Sequence, residues 1–186
     1  DVHIDGHACS VSLNSSGAPL YHRGYRKKTG DAPMNEVVAA GLIKLANWKG
    51  DSHFVDVTCG SGTLPIEAAL IANGIPPNIA RKSYGFQNWK NFDQQLWKSI
   101  FESAPKQPKR DLDIKIIGSD TDGDVILKAR ENIKALPLGK TISFEIKDFN
   151  DQMAPEGKGI LICNPPYGER LKMDELDELY QGLGNF

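Results

Sequence analysis

Cysteine is scarce in this 186-residue chain: three residues, Cys9, Cys59 and Cys163, far apart, odd in number and without a Cys-x-x-Cys pair. That excludes a disulfide scaffold and a zinc knuckle. Long apolar runs are missing too. No stretch approaches the roughly 20 residues of a membrane span, and there is no signal peptide. The expectation is a soluble protein in a reducing, cytoplasmic setting that contacts no membrane. A dominant charge is also lacking, since 22 Lys and Arg face 24 Asp and Glu for a net of −2. This argues against a purely electrostatic nucleic-acid binder and leaves room for an enzyme that acts on nucleic acid. What is present is an ordinary globular composition, 40% hydrophobic and 25% charged. It suffices for one domain with a real core, and it is unlike a disordered tail or a collagen repeat.

The near-neutral total hides a polarity. Residues 81–115 carry eight Lys/Arg against four acids, whereas residues 145–186 carry four against nine. Along the chain, residues 2–26 read as short strands (VHIDG, ACSVSLN, then PLYHRGYR after a Ser-Ser-Gly turn), a small antiparallel unit. Asn35 to Trp48 reads as a helix with Val38, Leu42, Leu45 and Ala46 at helical spacing, between Pro33 and Gly50. From Ser52 the rhythm alternates: strand HFVDV, helix LPIEAALIAN, strand IKIIGSD, helix DGDVILKARENIKAL, strand TISFEIKD, strand GILICNPPY and helix DELDELYQGL. Val- and Ile-rich strands alternating with helices predict a doubly wound α/β fold, with its ligand site beyond the carboxyl ends of a parallel sheet. An insert at 75–112 holds Phe86, Trp89, Phe92, Trp97 and Phe101, five of the 15 aromatics. Their spacing predicts a helix burying an aromatic stripe; the alternative is a base-stacking surface.

Four motifs carry chemistry. The first runs from Asp56 through Cys59, Gly60, Ser61 and Gly62 to Thr63, a buried strand ending in a glycine turn that opens a helix. Such a turn lets a ligand approach the backbone, and the helix N-terminus offers N–H groups to a carboxylate or phosphate. Neither the dinucleotide spacing GxGxxG nor a P-loop is present. The second is Asp120 at the end of its strand, a carboxylate able to accept from both hydroxyls of a ribose; Asp122 suits the following helix cap better. The third is Asp148, an acceptor for an adenine amine with Phe149 beside it, or else a turn former. The fourth is Cys163-Asn164-Pro165-Pro166-Tyr167-Gly168. Two prolines stiffen this loop and remove two N–H donors. The Asn164 side-chain oxygen and the Pro165 carbonyl are then free to accept from one planar amino group, while Tyr167 offers a stacking ring.

Together the four motifs resemble the class I methyltransferases that use S-adenosylmethionine, whose amino-methylating members carry an Asn/Asp-Pro-Pro-Tyr loop. Adding Tyr21-His22-Arg23-Gly24-Tyr25-Arg26, the helix from Asn35 and the Phe86…Trp89…Phe92-Asp93…Leu96-Trp97 run, most of residues 20–172 is similar to one family. It is the THUMP-associated bacterial methyltransferases of guanine N2 in 23S rRNA. The resemblance implies a Rossmann-like class I sheet, with S-adenosylmethionine held by Asp56, Cys59, Gly60, Ser61, Gly62, Thr63, Asp120, Asp148 and Asn164. It implies catalysis by Asn164, Pro165, Pro166 and Tyr167 on a guanine taken out of its stack, without a strong general base. It further implies an N-terminal β segment (1–30) that follows an RNA-binding THUMP module, and a methyltransferase domain (31–186) that continues further, so the chain is expected to be part of a larger enzyme.

Rival readings are an adenine-N6 DNA or protein-glutamine N-methyltransferase, which use similar loops, or an RNA-binding module without catalysis. No metal is expected, because Asp120 and Asp122 supply too few ligands, and a monomer is expected. Arg23, Arg26, Lys27 and Lys28 are expected to form a solvated loop, or else to contact an RNA backbone. Cys59 is expected to pack rather than react.

Overall fold

The computed structural model describes residues 1–27, 34–105, 112–165 and 180–184. Two short strands open it, β1 (Val2–Asp5) and β2 (Ala8–Val11), paired antiparallel. Val2, Ile4 and Val11 on this hairpin are largely exposed, so it adds little to the core. The third strand expected at PLYHRGYR does not form. Gly24 sits at φ +86° and lies so close to the Ala80 carbonyl that a Cβ there would be 2.9 Å from its oxygen. The side chains around it are committed to partners elsewhere, described below.

The helix expected from Asn35 is α1 (Glu36–Leu45), capped by the Asn35 side chain, which accepts from the N–H groups of Val37 and Val38. Its buried face differs from the expected stripe. Glu36, Ala39 and Ile43 face inward, whereas Val38 is 53% and Leu45 86% exposed. The buried Glu36 is held by Arg26 at 3.0 Å, and that pairing fixes the rotation of the helix.

After α1 come β3 (His53–Asp56), α2 (Thr63–Asn73), α3 (Gln94–Ser103), β4 (Ile116–Asp120), α4 (Gly123–Ile133), β5 (Ile142–Ile146) and β6 (Gly159–Leu161). The last four strands in this chain order, β3 to β6, form one sheet in the order β5-β4-β3-β6, parallel throughout. Alternation along the strands separates two faces. Phe54, Ile116, Ile142 and Phe144 join Ala39 and Ile43 of α1, Ile126 and Ala129 of α4 and nearly all of α2 in the main core. Val55, Val57 and Ile117 form a smaller core on the opposite face, against Phe149 and Leu183. Because α2 lies between α1 and the sheet, it is apolar on nearly every side. The predicted α/β architecture is therefore the observed one.

The insert does not become a single helix with a buried stripe. It forms a short turn of helix at Gly85–Asn88 and then α3, which has no buried residue. Its rings close on one another instead: Phe86 stacks on Tyr84 and meets Trp97 edge-on, and Trp97 continues to Phe101. The buried Arg81 ties this region to the N-terminal segment. Its guanidinium donates to the carbonyls of Ser16, Ala18, Pro19 and Ser83 and lies 4.7 Å from the centre of the Tyr84 ring.

Candidate functional site

Three adjacent strands end at one rim. The loop after β3 is tied to β4, since the Cys59 N–H donates to the Ser119 carbonyl at 2.9 Å. The loop after β6 leaves beside β3, where the Ile162 N–H donates to the Val55 carbonyl at 3.0 Å. Parallel pairing thus brings the glycine turn, Asp120 and the start of the Asn164-Pro165 loop together, although they are far apart in sequence.

Within the turn, the two glycines do different work. Gly62 has φ +84°, and a Cβ on it would come within 2.9 Å of the Phe144 ring and 3.0 Å of Ala129, so it is a packing glycine. Gly60, at φ +52°, has nothing within 4 Å of an added Cβ and faces open space. Its N–H donates to Asp120 Oδ2 at 2.9 Å, and Asp120 Oδ1 accepts from the Asp122 N–H at 3.1 Å. Asp122 also caps α4, as its position implied. Behind the turn, α2 begins with no side-chain cap and no acid in its first turn; Pro65 has no N–H, so the donors its first turn offers are those of Thr63 and Leu64.

Asp56, Cys59, Ser61, Gly62 and Thr63 are all buried, so they shape the rim from beneath. Burial pushes the Asp56 carboxyl up to about 8; the Thr58 N–H at 3.1 Å opposes the shift and the nearby Asp120 charge adds to it. Asp56 is therefore a largely protonated strut, not an exposed charge. Burial also pushes the Cys59 thiol well above its ordinary value and Cys163 to about 11, which keeps both as thiols and unsuited to nucleophilic attack. Asp148, half-buried, accepts from the backbone and side-chain N–H groups of Asn150, both at 2.9 Å, which is the turn-forming role. Phe149 packs on the smaller core rather than standing free. Asn164 is exposed and Pro165 half-buried. Pro166 and Tyr167 lie outside the described residues, as does Lys28.

Several residues that support the rim lie outside the four chemical motifs, three of them in the Tyr21–Arg26 run. Arg26 donates to Glu36 Oε1 at 3.0 Å, to the Met34 carbonyl at 2.8 Å and to the hydroxyl of Thr63, the first residue of α2, at 2.8 Å. Tyr25 donates to Glu67 Oε1 at 3.0 Å, and Arg23 lies 3.5 Å from the same oxygen. Burial raises Glu67 to about 7 despite the opposing pull of Arg23. Asn132 of α4 donates to the Ser61 carbonyl and accepts from the Lys27 N–H. Arg23 is thus a buried and Arg26 a partly buried ion-pair partner, neither a solvated loop nor an RNA-facing surface. The sequence signals were the family-like Tyr21–Arg26 run and the presence of Glu36 and Glu67 on helices rich in apolar residues. Among the described residues, no cluster of three His, Cys, Asp or Glu is placed to hold a metal, and no helix is long and apolar enough to cross a membrane.

Comparison with known proteins follows the same lines. A family model, UPF0020, described as the RMKL-like methyltransferase domain, matches residues 23–186. A protein of Shewanella frigidimarina named ribosomal RNA large subunit methyltransferase K/L is 39% identical over 190 aligned residues. That alignment takes in the whole of this chain but only 27% of the relative. The solved structure of SMU.472, described as a methyltransferase and complexed with SAH, superposes with a TM-score of 0.83 at 37% identity. It covers 92% of this chain and 45% of that one. A Listeria monocytogenes protein named a predicted N6-adenine-specific DNA methylase superposes with a TM-score of 0.79 at 36% identity, covering 91% of this chain and 45% of that one. The chain thus spans less than half the length of each of these proteins.

Proposed function

This chain belongs to the RMKL-like methyltransferase domain family, and from that premise we propose that it carries the cofactor and target-amine sites of an RNA methyltransferase. The reaction is methyl transfer from S-adenosylmethionine to the exocyclic N2 of a guanine in large-subunit rRNA. One observation carries the reading: the open glycine Gly60, the carboxylate of Asp120 and the Asn164-Pro165 loop share the rim at the carboxyl ends of three neighbouring strands.

The residues at the rim fit such a cofactor. Space beside Gly60 admits a ligand against the backbone, and the uncapped start of α2 suits the carboxylate of its methionine end. Each Asp120 oxygen accepts one N–H and keeps a lone pair for a ribose hydroxyl. Asp148 borders the adenine end in this reading, with Cys59, Ser61, Thr63 and Asp56 supporting from beneath. When bound, S-adenosylmethionine supplies an electrophilic methyl group. The chain's own part is to hold the amine. Asn164 Oδ1 and the Pro165 carbonyl accept its two hydrogens and aim the nitrogen lone pair, while Pro166 and Tyr167 supply stiffness and a stacking ring. Orientation and exclusion of water then provide most of the rate enhancement, and no general base is needed.

The same reading divides the chain into a leading segment, 1–30, and a methyltransferase unit, 31–186, joined through Arg23, Tyr25 and Arg26. A second reading, N6-adenine methylation of DNA, is favoured by the name of the Listeria protein. Methyl-transfer assays on undermodified large-subunit rRNA and on duplex DNA separate the two, and methylation confined to DNA overturns the main one. Isothermal titration should show that Asp120→Ala loses affinity for S-adenosylmethionine. Asn164→Ala should keep that affinity and lose turnover.

A further inference from the structure

The aromatic insert carries a second cleft, away from the sheet rim. It has a volume of about 310 Å³ and is lined by Gln87, Phe92, Gln94, Trp97, Lys98 and Phe101. That is the low end of ligand-pocket sizes, room for one planar group rather than for a large molecule. Three of its walls are half-buried rings, braced by the ring contacts of Phe86 with Phe92 and Trp97. The polar walls are two amides and one ammonium. Gln87 Oε1 already accepts the Tyr84 N–H at 2.7 Å, so its amide presents donors. Lys98 is 73% exposed and pairs only loosely with Glu102, at 3.9 Å. Lys82 and Lys90 stand exposed in the same basic segment, whereas Arg81 is spent on four backbone carbonyls.

We propose that this cleft is a docking site for an unpaired nucleobase of the RNA substrate, stacked between Trp97, Phe92 and Phe101, with Lys98 on the adjoining phosphate. Rings with amide donors suit a flat, polar-edged base, and every base offers a face for stacking. The exposed Lys82, Lys90 and Lys98 outnumber Asp93 and Glu102 along this stretch, and that excess favours a nucleic-acid strand over an apolar peptide, which gains nothing from exposed lysines. Leu96 and Ile100, more than half exposed, extend the apolar surface along α3 for the neighbouring sugar. The site holds the substrate while a different base reacts at the sheet rim. This inference rests on RNA being the substrate.

Photocrosslinking tests it. The full chain is mixed with short single-stranded RNA carrying 5-iodouridine, and adducts are mapped by mass spectrometry. The expected adducts fall on Trp97, Phe92 or Phe101; adducts confined to other parts of the chain overturn the proposal. Lys98→Glu changes an exposed side chain and leaves the fold intact. It should raise KM for RNA about tenfold, reduce the salt dependence of binding by roughly one ion and leave kcat unchanged. If rRNA is methylated and Lys98→Glu has the wild-type KM, the docking site is wrong and the main function stands. If crosslinks form at Trp97 but no rRNA is methylated, the docking site stands and the assigned reaction fails.

Discussion

The rim at the end of the sheet and the aromatic insert both gather residue types that bind ligands, yet different forces hold them. The rim hangs from backbone pairing of β3, β4 and β6 above a core in which α2 is buried almost completely. Its geometry is therefore over-determined, and a single glycine can be reserved for a ligand. Among its described residues the insert has no strand and no buried helical residue. Beyond Ile75, Ile79 and Ala80, which join or pack against the main core, its shape depends on a few rings and on one arginine that binds four carbonyls. A rigid rim suits chemistry that needs fixed distances, whereas a shallow aromatic patch suits sequence-tolerant holding of a strand.

The largest expected effect tests how strictly the rim is built. Gly62→Val adds bulk against the Phe144 ring at a left-handed backbone, which should cost about 4 kcal/mol from strain and overpacking combined. Gly60→Ala meets no neighbour, so it should cost only about 1 kcal/mol in stability while weakening cofactor binding. Urea denaturation of both variants checks the contrast, and equal destabilisation would erase the distinction between packing and ligand glycines. Next in size is Arg26→Ala, which leaves the buried Glu36 without its cation and should cost about 3 kcal/mol. Arg81→Ala removes four hydrogen bonds against the three of Arg26 but should act locally. Hydrogen exchange should quicken in residues 14–19 and in α3, with β3 and β4 unchanged. Exchange that quickens everywhere would show that the insert and the sheet unfold as one unit.

The same contrast explains what the sequence made legible. Strands, helices and the order of the rim loops follow from periodicity and from glycine, and both are local signals. The cap at Asp122 is local too, and the structure has it where the pattern implied; Asn35 caps α1 in the same local way. The exposed stripe of α1 and the missing third strand of the leading segment have another origin. Both turn on Arg23, Tyr25 and Arg26 reaching Glu67 and Glu36, which are 10 to 44 residues away, and no periodicity encodes that choice. A run of arginines and tyrosines looks solvated until its carboxylate partners are located. The insert fell between the two cases: its rings do pack, as their spacing suggested, but on one another instead of on the core.

A smaller effect comes from the two buried acids. Burial holds Asp56 at about 8 and Glu67 at about 7, both above their ordinary values of 3.8 and 4.5. In each, the folded state binds a proton that the unfolded state has already lost. Their contribution is therefore full below pH 4 and falls as pH rises, until it is gone near pH 8. Asp56→Asn retains an acceptor for the Thr58 N–H and removes the titration, so it should flatten the Asp56 share of this fall. Thermal melts across that range check the sign. A variant that keeps the wild-type slope would place the titration elsewhere.

The smallest expected effect concerns Asp148, where structural and ligand roles predict different outcomes. Its carboxylate closes the turn through Asn150, so Asp148→Ala should cost about 1 kcal/mol, the usual size of a lost cap. Asp148→Asn keeps an acceptor for the Asn150 N–H and should recover most of that stability. The two variants part company on the cofactor. If Asp148 receives the adenine amine, both should lose affinity for S-adenosylmethionine, because an uncharged amide is a weaker acceptor than a carboxylate. If the turn is its whole role, Asp148→Asn should bind as the wild type does. Titration of the two variants against S-adenosylmethionine decides whether the loop after β5 contributes a ligand to the rim or only its shape.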